Sequence, residues 1–416
     1  MAPTPPTTRT SPTMFDSVQP APPDAIIGLT EAYKADPNPA KINLAVGVYK
    51  DAEGQTPTLG AVREAEQWLL ANEPNKVYLG IDGSPGYGQR TRDLLLGSAS
   101  ELAQDAEAGG RSATFQAPGG TGALRNAADY LAANHAGAGV WLSAPTWPNH
   151  PSIFQAAGLG VKTYPYLDTA TNALAFDAML EALQAVQPGD VVLLHGCCHN
   201  PTGVDPSPQQ WQAIGELLNE RGAMPLVDFA YQGFAAGVEE DAAGLRTLAR
   251  QCGELIVCNS YSKNFGLYRE RVGAMTVVAS SNASAKAVQS QVKACIRRNY
   301  SNPPAHGALV VEHILGSDEL TARWLEELAA MRERVARMRH QLRTSLDERG
   351  ISLGSGGNAF IEQQNGMFTM SGLTKPQVER LRAEHSIYIV GSGRINVAGM
   401  TAKNMPTLCD AIASVV

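Results

Sequence analysis

Four side chains that can do chemistry follow short apolar runs in the middle of the sequence. Asp228 closes MPLVDF, His195 closes VVLLH, Asn200 follows in HNPTG, and Lys263 comes just after ELIVCN. A carboxylate, an imidazole and an amine can hold or move protons. One such residue alone would usually be a solvated loop residue. Four of them at three predicted strand ends indicate a ligand site, because open α/β sheets bind ligands at the carboxyl ends of their strands.

A glycine-rich turn opens a predicted helix at Pro118–Arg125, with the sequence PGGTGALR. Free backbone N–H groups at the start of a helix favour an anion, and phosphate above all. The turn alone could be a simple tight turn. It matches neither the P-loop nor the GxGxxG pattern, so a phosphate group is predicted without a nucleotide.

Two cysteines and two histidines stand close together in HGCCHN, at 195–200. Zinc ligands are usually separated by two or more residues, and the adjacent Cys197 and Cys198 are not expected to converge on one ion. Ordinary loop packing is the better interpretation, and no metal is predicted.

Five continuous apolar runs predict strands buried on both faces. They are 139–143, 191–195, 224–229, 254–259 and 274–279. Helical patterns such as 208–221 and 241–252 lie between them, which predicts an α/β fold with a mostly parallel central sheet and helices on both faces. A long amphipathic helix is predicted over 317–349, followed by a smaller α+β pattern. The predicted division is a disordered extension at 1–13, a small domain from 14–54 and 326–416, and a large domain at 55–325.

Composition narrows the class of protein. The 416 residues include 33 Lys and Arg against 40 Asp and Glu, a net charge of −7, which argues against a nucleic-acid partner. No run of about 18 apolar residues occurs, so no membrane association is expected. The N-terminus has no apolar signal segment, and the six cysteines form no CxxC pair, so a cytoplasmic, reducing location is expected.

The segment SYSKNFGLYRERVGA resembles the pyridoxal phosphate (PLP) lysine segment of class I aminotransferases, in particular those acting on aspartate and aromatic amino acids. Further segments resemble the same family in the same order, from about Phe15 to the C-terminus: INLAVGVYKD, VYLGIDG, PGGTGALR, PTWPNH, HGCCHNPTG, DFAYQGF, RNYSNPPAHG, NGMFTMSGL and SGRINVAGM. The resemblance implies fold type I of the PLP-dependent transferases, with the large domain binding the cofactor.

The resemblance also implies roles around the cofactor. Lys263 would form the Schiff base and shuttle a proton, and Asp228 would pair with the pyridine nitrogen. Tyr231 and Asn200 would hydrogen-bond the ring oxygen. The remaining contacts would come from Gly120, Thr121, Ser260 and Arg271 at the phosphate, from Trp147 and Ala230 on the two ring faces, and from the partner subunit's Tyr78. Taken without the resemblance, Trp147 would be a core aromatic, and Arg271 would form a surface ion pair with Glu270.

Substrate recognition is implied at two arginines. Arg394 would clamp the α-carboxylate of the substrate through its planar fork of donors, and Asn200 and Trp147 would also contact the substrate. Arg297 would take the distal carboxylate from across a homodimer with shared active sites, although Arg297–Arg298 could also be a solvated basic pair. Gly47 would lie on a segment that closes over the substrate.

The sequence therefore predicts an aminotransferase that works in two half-reactions, with aspartate as donor and 2-oxoglutarate as acceptor. An aromatic amino-acid aminotransferase is the alternative. Another PLP reaction, such as β-elimination, and a non-catalytic scaffold of the same fold are the remaining rivals. The presence of Lys263, Asp228, Arg271 and Arg394 together disfavours the scaffold.

Overall fold

A computed structural model describes residues 14–21 and 27–416, so the predicted disordered extension at 1–13 lies outside the described residues. The strands are β1 (Ile42–Asn43), β2 (Ser112–Pro118), β3 (Gly139–Ala144), β4 (Gly160–Pro165), β5 (Leu167–Asp168), β6 (Ala173–Leu174), β7 (Val191–His195), β8 (Met224–Phe229), β9 (Leu255–Ser260), β10 (Val272–Val278), β11 (Phe368–Met370), β12 (Ile387–Tyr388) and β13 (Arg394–Asn396). The helices are α1 (Ile27–Ala35), α2 (Gly60–Asn72), α3 (Pro85–Leu96), α4 (Gly119–Asn134), α5 (Asn149–Ala156), α6 (Phe176–Leu183), α7 (Pro208–Arg221), α8 (Val238–Asp241), α9 (Ala243–Gln251), α10 (Asn282–Asn299), α11 (His306–Leu315), α12 (Asp318–Glu348), α13 (Phe360–Gln363), α14 (Lys375–His385) and α15 (Met405–Val415).

A seven-stranded sheet forms the centre of the molecule, in the order β2-β10-β9-β8-β7-β3-β4. Its strands are parallel except β10, which is antiparallel to both of its neighbours. Alternate residues of the central strands enter two different core clusters, as Val192 and Leu194 do on one face and Val191 and Leu193 on the other. Both faces are therefore buried, which explains the continuous apolar runs and confirms the mostly parallel sheet.

Three sequence expectations need correction. Strands β2 and β4 at the two edges of the sheet were not predicted, because β2 carries Thr114 and Gln116 and β4 is largely exposed. The helix predicted over 241–252 is α9, but it begins at Ala243, because the short helix α8 precedes it and ends at Asp241. The break follows from Asp241, whose carboxylate accepts hydrogen bonds from four backbone N–H groups of the preceding loop.

The long helix occurs as predicted. Ser317 caps α12 by accepting a hydrogen bond from the backbone N–H of Leu320. The predicted apolar positions form its buried face: Leu320, Trp324, Leu328, Met331, Val335, Met338, Leu342 and Leu346. In the described part of the chain, no helix is both long and apolar enough to cross a membrane.

The two ends of the chain meet beyond this helix. Strand β1 pairs in parallel with β12, and β11 pairs with β13. Arg339 of α12 is buried, and its guanidinium donates hydrogen bonds to the backbone carbonyls of Ile361, Asn365, Gly366 and Phe368 at 2.7–3.2 Å. The exact domain division at residues 54 and 325 stays a prediction.

We expect Arg339→Met to lower the free energy of unfolding by about 2 kcal/mol or more, because buried carbonyls would lose a charged donor. Denaturant unfolding followed by circular dichroism measures this. Arg337→Met is the matched control two residues earlier, since Arg337 is exposed and its ion pair with Glu333 is long, at 4.0 Å. The proposed anchoring is wrong if both variants unfold at the same denaturant concentration.

Candidate active site

One cavity of about 280 Å³ lies at the carboxyl ends of β7, β8 and β9. It brings together twelve residues to which the resemblance assigns roles: Gly47, Gly120, Thr121, Trp147, Asn200, Asp228, Ala230, Tyr231, Ser260, Lys263, Arg271 and Arg394. The pairing of β7 with β8 explains part of this arrangement, because it makes His195 and Asp228 direct neighbours. Lys263 follows the end of β9, and Arg271 directly precedes β10, which runs back antiparallel to it.

Lys263 faces the other reactive groups of the cavity. Its Nζ lies 4.7 Å from the centroid of the Tyr231 ring. The pKa of Lys263 is lowered to about 8, mainly by burial and in part by the charge of Arg271, whereas Asp228 opposes the shift. Burial also raises the pKa of Tyr231, which keeps its hydroxyl protonated. The cavity thus holds an amine that can lose its proton near neutral pH beside a phenol that keeps its own.

A chain of hydrogen bonds runs from the Asn200 backbone to Asp228. The N–H of Asn200 donates to His195 Nδ1 at 3.3 Å, and His195 Nε2 lies 3.1 Å from Thr146 Oγ1. Thr146 Oγ1 lies 2.8 Å from His150 Nδ1, and His150 Nε2 lies 2.9 Å from Asp228 Oδ2. A backbone N–H can only donate, so the whole chain is satisfied when every hydrogen points towards Asp228 and both imidazoles are neutral. Burial lowers the pKa of His195 to about 3, consistent with the neutral form.

This chain keeps Asp228 ionised. Burial alone would raise its pKa, but the hydrogen bond from His150 and the positive charge of Lys263 hold the pKa below its ordinary value. The second carboxylate oxygen, Oδ1, is buried and has no hydrogen-bond partner among the described residues. A buried, ionised oxygen that lacks a donor suits a ligand that brings a proton on nitrogen, as a protonated pyridine does.

Close backbone packing forms an anion cradle at the start of α4. A Cβ on Gly119 (φ +75°) would lie 2.4 Å from Arg271 Nη2, and one on Gly120 would lie 3.1 Å from the Cβ of Ser260. The N-terminal N–H groups of α4, a guanidinium and a hydroxyl therefore converge, which suits phosphate. Arg271 does not form the alternative ion pair with Glu270, which instead lies 3.8 Å from Arg269.

Trp147 is half-buried, lines the cavity and meets His150 edge to face at a centroid separation of 5.2 Å. Ala230 also lines the cavity. Trp147 is therefore a cavity wall rather than the fully enclosed core aromatic of the alternative interpretation.

Arg394 lies at the side of the cavity formed by the chain ends. Its guanidinium is buried, and it donates to the backbone oxygen of Ala45 at 2.6 Å and to Asn200 Oδ1 at 3.1 Å. Its Nε is buried and has no hydrogen-bond partner in the part of the chain that the structure describes. Gly47 also lines the cavity, against the ring of Phe368. A buried guanidinium with a spare donor suits recognition of a carboxylate.

Tyr78 and Arg297 do not line the cavity of their own chain. Tyr78 is 90% exposed, and Arg297 is exposed and bonds to Ser301 of the same helix end. The two segments are nevertheless joined, because Asn302 Nδ2 donates to the backbone oxygen of Leu79 at 2.9 Å. Both residues assigned to a partner's site therefore lie on connected segments of the same surface.

The adjacent cysteines converge, contrary to the sequence expectation. The sulfurs of Cys197 and Cys198 and a carboxylate oxygen of Asp241 lie within 4.8 Å of one another, helped by the positive φ of Cys198. Both oxygens of Asp241 already accept backbone hydrogen bonds, and burial raises the pKa of both thiols. The absence of a metal from the protein stays a prediction.

Sequence reasoning missed three residues of the site. His150 holds Asp228, Tyr268 lines the cavity and accepts a hydrogen bond from the backbone of Tyr49, and Phe368 packs on Arg394. His150 and Phe368 stand inside the motifs PTWPNH and NGMFTMSGL. The motifs located them, but nothing in the sequence named their partners.

Comparison with known proteins identifies the family of the chain. The family model described as aminotransferase class I and II matches residues 39–412. Aspartate aminotransferase of Escherichia coli (strain K12) is 55% identical over 402 residues, covering 97% of this chain and 100% of that protein. Aromatic-amino-acid aminotransferase of Pseudomonas aeruginosa is 47% identical over 401 residues, covering 96% and 98%. The crystal structure of an aromatic-amino-acid aminotransferase from Burkholderia pseudomallei, covalently bound to pyridoxal phosphate, superposes with a TM-score of 0.92 at 46% identity, covering 97% and 99%.

These matches span nearly the whole chain, and the sheet and the cavity described above agree with them. The chain belongs to the family of class I and II aminotransferases. The predicted fold and enzyme class are thereby confirmed.

The lowered pKa of Lys263 predicts how its reactivity depends on pH. Above pH 8 and below the ordinary lysine value of 10.5, the buried amine is mostly neutral, whereas an unshifted amine is mostly charged. In protein freed of any bound cofactor, modification of Lys263 by an amine-reactive reagent should therefore rise with a midpoint near pH 8. Mass spectrometry of the modified peptide across the pH range measures this midpoint.

Asp228→Asn should move that midpoint to lower pH, because the carboxylate favours the charged amine. A midpoint near that of an ordinary lysine in the parent protein, or a shift to higher pH in the variant, would contradict the electrostatics described here.

Proposed function

We propose that the chain is a PLP-dependent aminotransferase that moves the amino group of aspartate to 2-oxoglutarate in two half-reactions. The observation that carries the proposal is the pairing, within one cavity, of the amine of Lys263 with the ionised, half-partnered carboxylate of Asp228. An arginine with a spare donor completes the cavity on its other side.

The cofactor proposal rests on two features that fit PLP at once. Asp228 Oδ1 would receive the ring N–H, and the cradle of Gly120, Thr121, Ser260 and Arg271 would receive the phosphate. Lys263 would hold the cofactor covalently through its amine. Tyr231 and Asn200 would contact the ring oxygen, and Trp147 and Ala230 the two ring faces. When bound, PLP supplies an electron sink for negative charge that develops at the substrate Cα.

The residues of the chain supply acid–base chemistry and orientation. Lys263 can take a proton at Nζ and return it, because its pKa of about 8 leaves both forms accessible near neutral pH. Asp228 stays ionised throughout, since four hydrogen bonds in series fix its charge and its orientation. Arg394 binds the α-carboxylate and thereby fixes which substrate bonds face the amine.

The choice of donor rests on similarity and on one surface residue. The Escherichia coli relative named for aspartate is more similar to this chain than the Pseudomonas aeruginosa relative named for aromatic amino acids. Arg297 offers a charge for the distal carboxylate of aspartate, and Gly47 leaves room beside Phe368 where the substrate would enter. Aromatic donors remain the second candidate, since the Burkholderia pseudomallei structure is nearly superposable.

We further propose a homodimer with shared active sites. Tyr78 and Arg297 lie outside their own cavity on segments joined by the bond from Asn302 to Leu79. The same surface exposes Val77, which is 73% accessible, next to Tyr78. A two-fold axis through this surface would carry both residues into the partner's cavity and would bury the apolar group. A cytoplasmic location is proposed on the six cysteines, which are all free and buried.

Purified protein mixed with PLP should convert aspartate and 2-oxoglutarate to oxaloacetate and glutamate without releasing ammonia. A panel of aspartate, tyrosine and phenylalanine ranks the donors by kcat/KM. Keto acid that forms with ammonia, and without need of an acceptor, would instead indicate an elimination. Protein that binds no PLP by its visible absorbance would indicate a scaffold.

Lys263→Ala should abolish this turnover while leaving the fold intact, because one amine both holds the cofactor and moves the proton. Initial rates and circular dichroism measure the two effects. Lys286→Ala, on the exposed face of α10, is the control that should retain full activity. Multiple turnover near the parental rate in Lys263→Ala would disprove the assignment.

Arg297→Ala should reduce kcat/KM for aspartate by about thirtyfold to several-thousandfold and should spare phenylalanine, which has no distal carboxylate. The range corresponds to about 2–5 kcal/mol for truncating one partner of a buried charge pair. Arg298→Ala is the matched control, because Arg298 contacts Cys295 of its own helix. Equal losses for both substrates would make Arg297 structural.

Refolding Lys263→Ala together with Arg297→Ala checks where Arg297 acts. In random mixtures half of the dimers are mixed, and each mixed dimer has one intact site if Arg297 serves the partner, so about a quarter of the parental activity should return. No recovery in confirmed mixed dimers would place Arg297 in its own chain's site or away from the substrate.

A further inference from the structure

Arg394 is a buried positive charge without an acidic partner. Only 3% of the residue is exposed, and its two hydrogen bonds go to neutral oxygens, those of Ala45 and Asn200. Within residues 14–21 and 27–416, no carboxylate forms an ion pair with it. Buried charges are usually paired, because removing a charge from water is costly. A carboxylate beside Arg394, however, would compete with the carboxylate of a substrate.

The face of an aromatic ring stands where a counter-ion would otherwise be needed. The guanidinium carbon of Arg394 lies 4.2 Å from the centroid of the Phe368 ring, and Phe368 is 2% exposed. The negative face of the ring attracts a cation, and the attraction is strongest where the pair is removed from water. Unlike a carboxylate, the ring occupies no N–H donor.

The surrounding structure fixes this ring. Phe368 opens β11, which pairs with β13, where Arg394 is the first residue. The carbonyl of Phe368 accepts a hydrogen bond from the buried Arg339 at 2.7 Å. The ring meets Tyr231 edge to face at 6.0 Å, and a Cβ on Gly47 would lie 2.7 Å from its Cζ. The ring is therefore held from its backbone, from one edge and from its tip.

We propose that Phe368 is a positioning residue for the carboxylate-binding arginine. Its ring replaces a counter-ion for Arg394 and holds the guanidinium towards the cavity, with Nε free for the α-carboxylate of the substrate. Gly47 contributes to this positioning, because any side chain at residue 47 would displace the Phe368 ring. The inference rests on the proposed function, since it assumes that Arg394 binds a substrate carboxylate.

The test weakens the ring face without changing the shape of the side chain. Phe368 is replaced by phenylalanines that carry increasing numbers of ring fluorines, which withdraw electrons from the face while the ring stays similar in size. Tyrosine is unsuitable, because its hydroxyl would extend from Cζ towards Gly47. Calorimetry on the PLP-loaded protein gives the Kd for succinate, an unreactive dicarboxylate, and steady-state kinetics give KM and kcat for aspartate.

We expect the Kd for succinate to rise stepwise with fluorination and to reach about tenfold or more for the fully fluorinated ring. The KM for aspartate should rise in parallel while kcat changes less, because binding rather than proton transfer is impaired. The visible absorbance of the bound cofactor should stay unchanged. Gly47→Ala should weaken succinate binding in the same direction by tilting the ring.

Phe360 provides the matched control. It is a buried phenylalanine of α13, and in the described part of the chain no cation lies over its ring. Fluorination of Phe360 should leave the Kd for succinate unchanged. An unchanged or tighter Kd in the Phe368 series, or an equal loss in the Phe360 series, would overturn the proposal. Failure of the proposed function would appear separately, as a parent protein that binds PLP but does not transaminate.

Discussion

The ionised carboxylate of Asp228, held in a buried position, is the constraint on which the rest of the site depends. Its oxygen Oδ2 needs a hydrogen-bond donor, and the Nε2–H group of His150 is that donor. Thr146 and His195 fix the direction of this hydrogen bond, because they form one series of hydrogen bonds with His150. His195 and Asp228 are paired neighbours on β7 and β8, so the start and the end of this series of hydrogen bonds lie side by side. The pKa of Lys263 follows from the same charge, since Asp228 moderates the large effect of burial.

A second buried charge, Arg394, lies on the far side of the cavity and is stabilised by different groups. Asp228 keeps one oxygen for a ligand because a neutral imidazole satisfies the other, and Arg394 keeps Nε for a ligand because a neutral ring and two neutral oxygens surround the rest. In both cases neutral groups form the hydrogen bonds to the charged group, so no ion pair within the protein competes with an ionic ligand. The cavity therefore has a fixed anion at one end and a fixed cation at the other.

The two charges belong to different parts of the fold, and the long helix α12 connects them. Arg339 of this helix donates to the carbonyl of Phe368, the residue beneath Arg394, while Trp324 of the same helix donates to the backbone of Asn264, next to Lys263. One rigid element therefore reaches both ends of the cavity. This arrangement ties the position of Arg394 to the position of the Lys263 amine.

The sequence alone determined the central strands and the residues at their carboxyl ends, because strands buried on both faces must be continuously apolar and their ends must share one edge of the sheet. The glycine-rich turn also indicated a phosphate site from the sequence, and the motif resemblance added Arg394. Only the tertiary structure revealed the antiparallel β10, the polar edge strand β2, and the contacts of His150 and Phe368. His150 lies 78 residues from Asp228 in the chain. Contacts of this kind depend on which side chains meet in the folded structure, and a local sequence pattern does not contain that information.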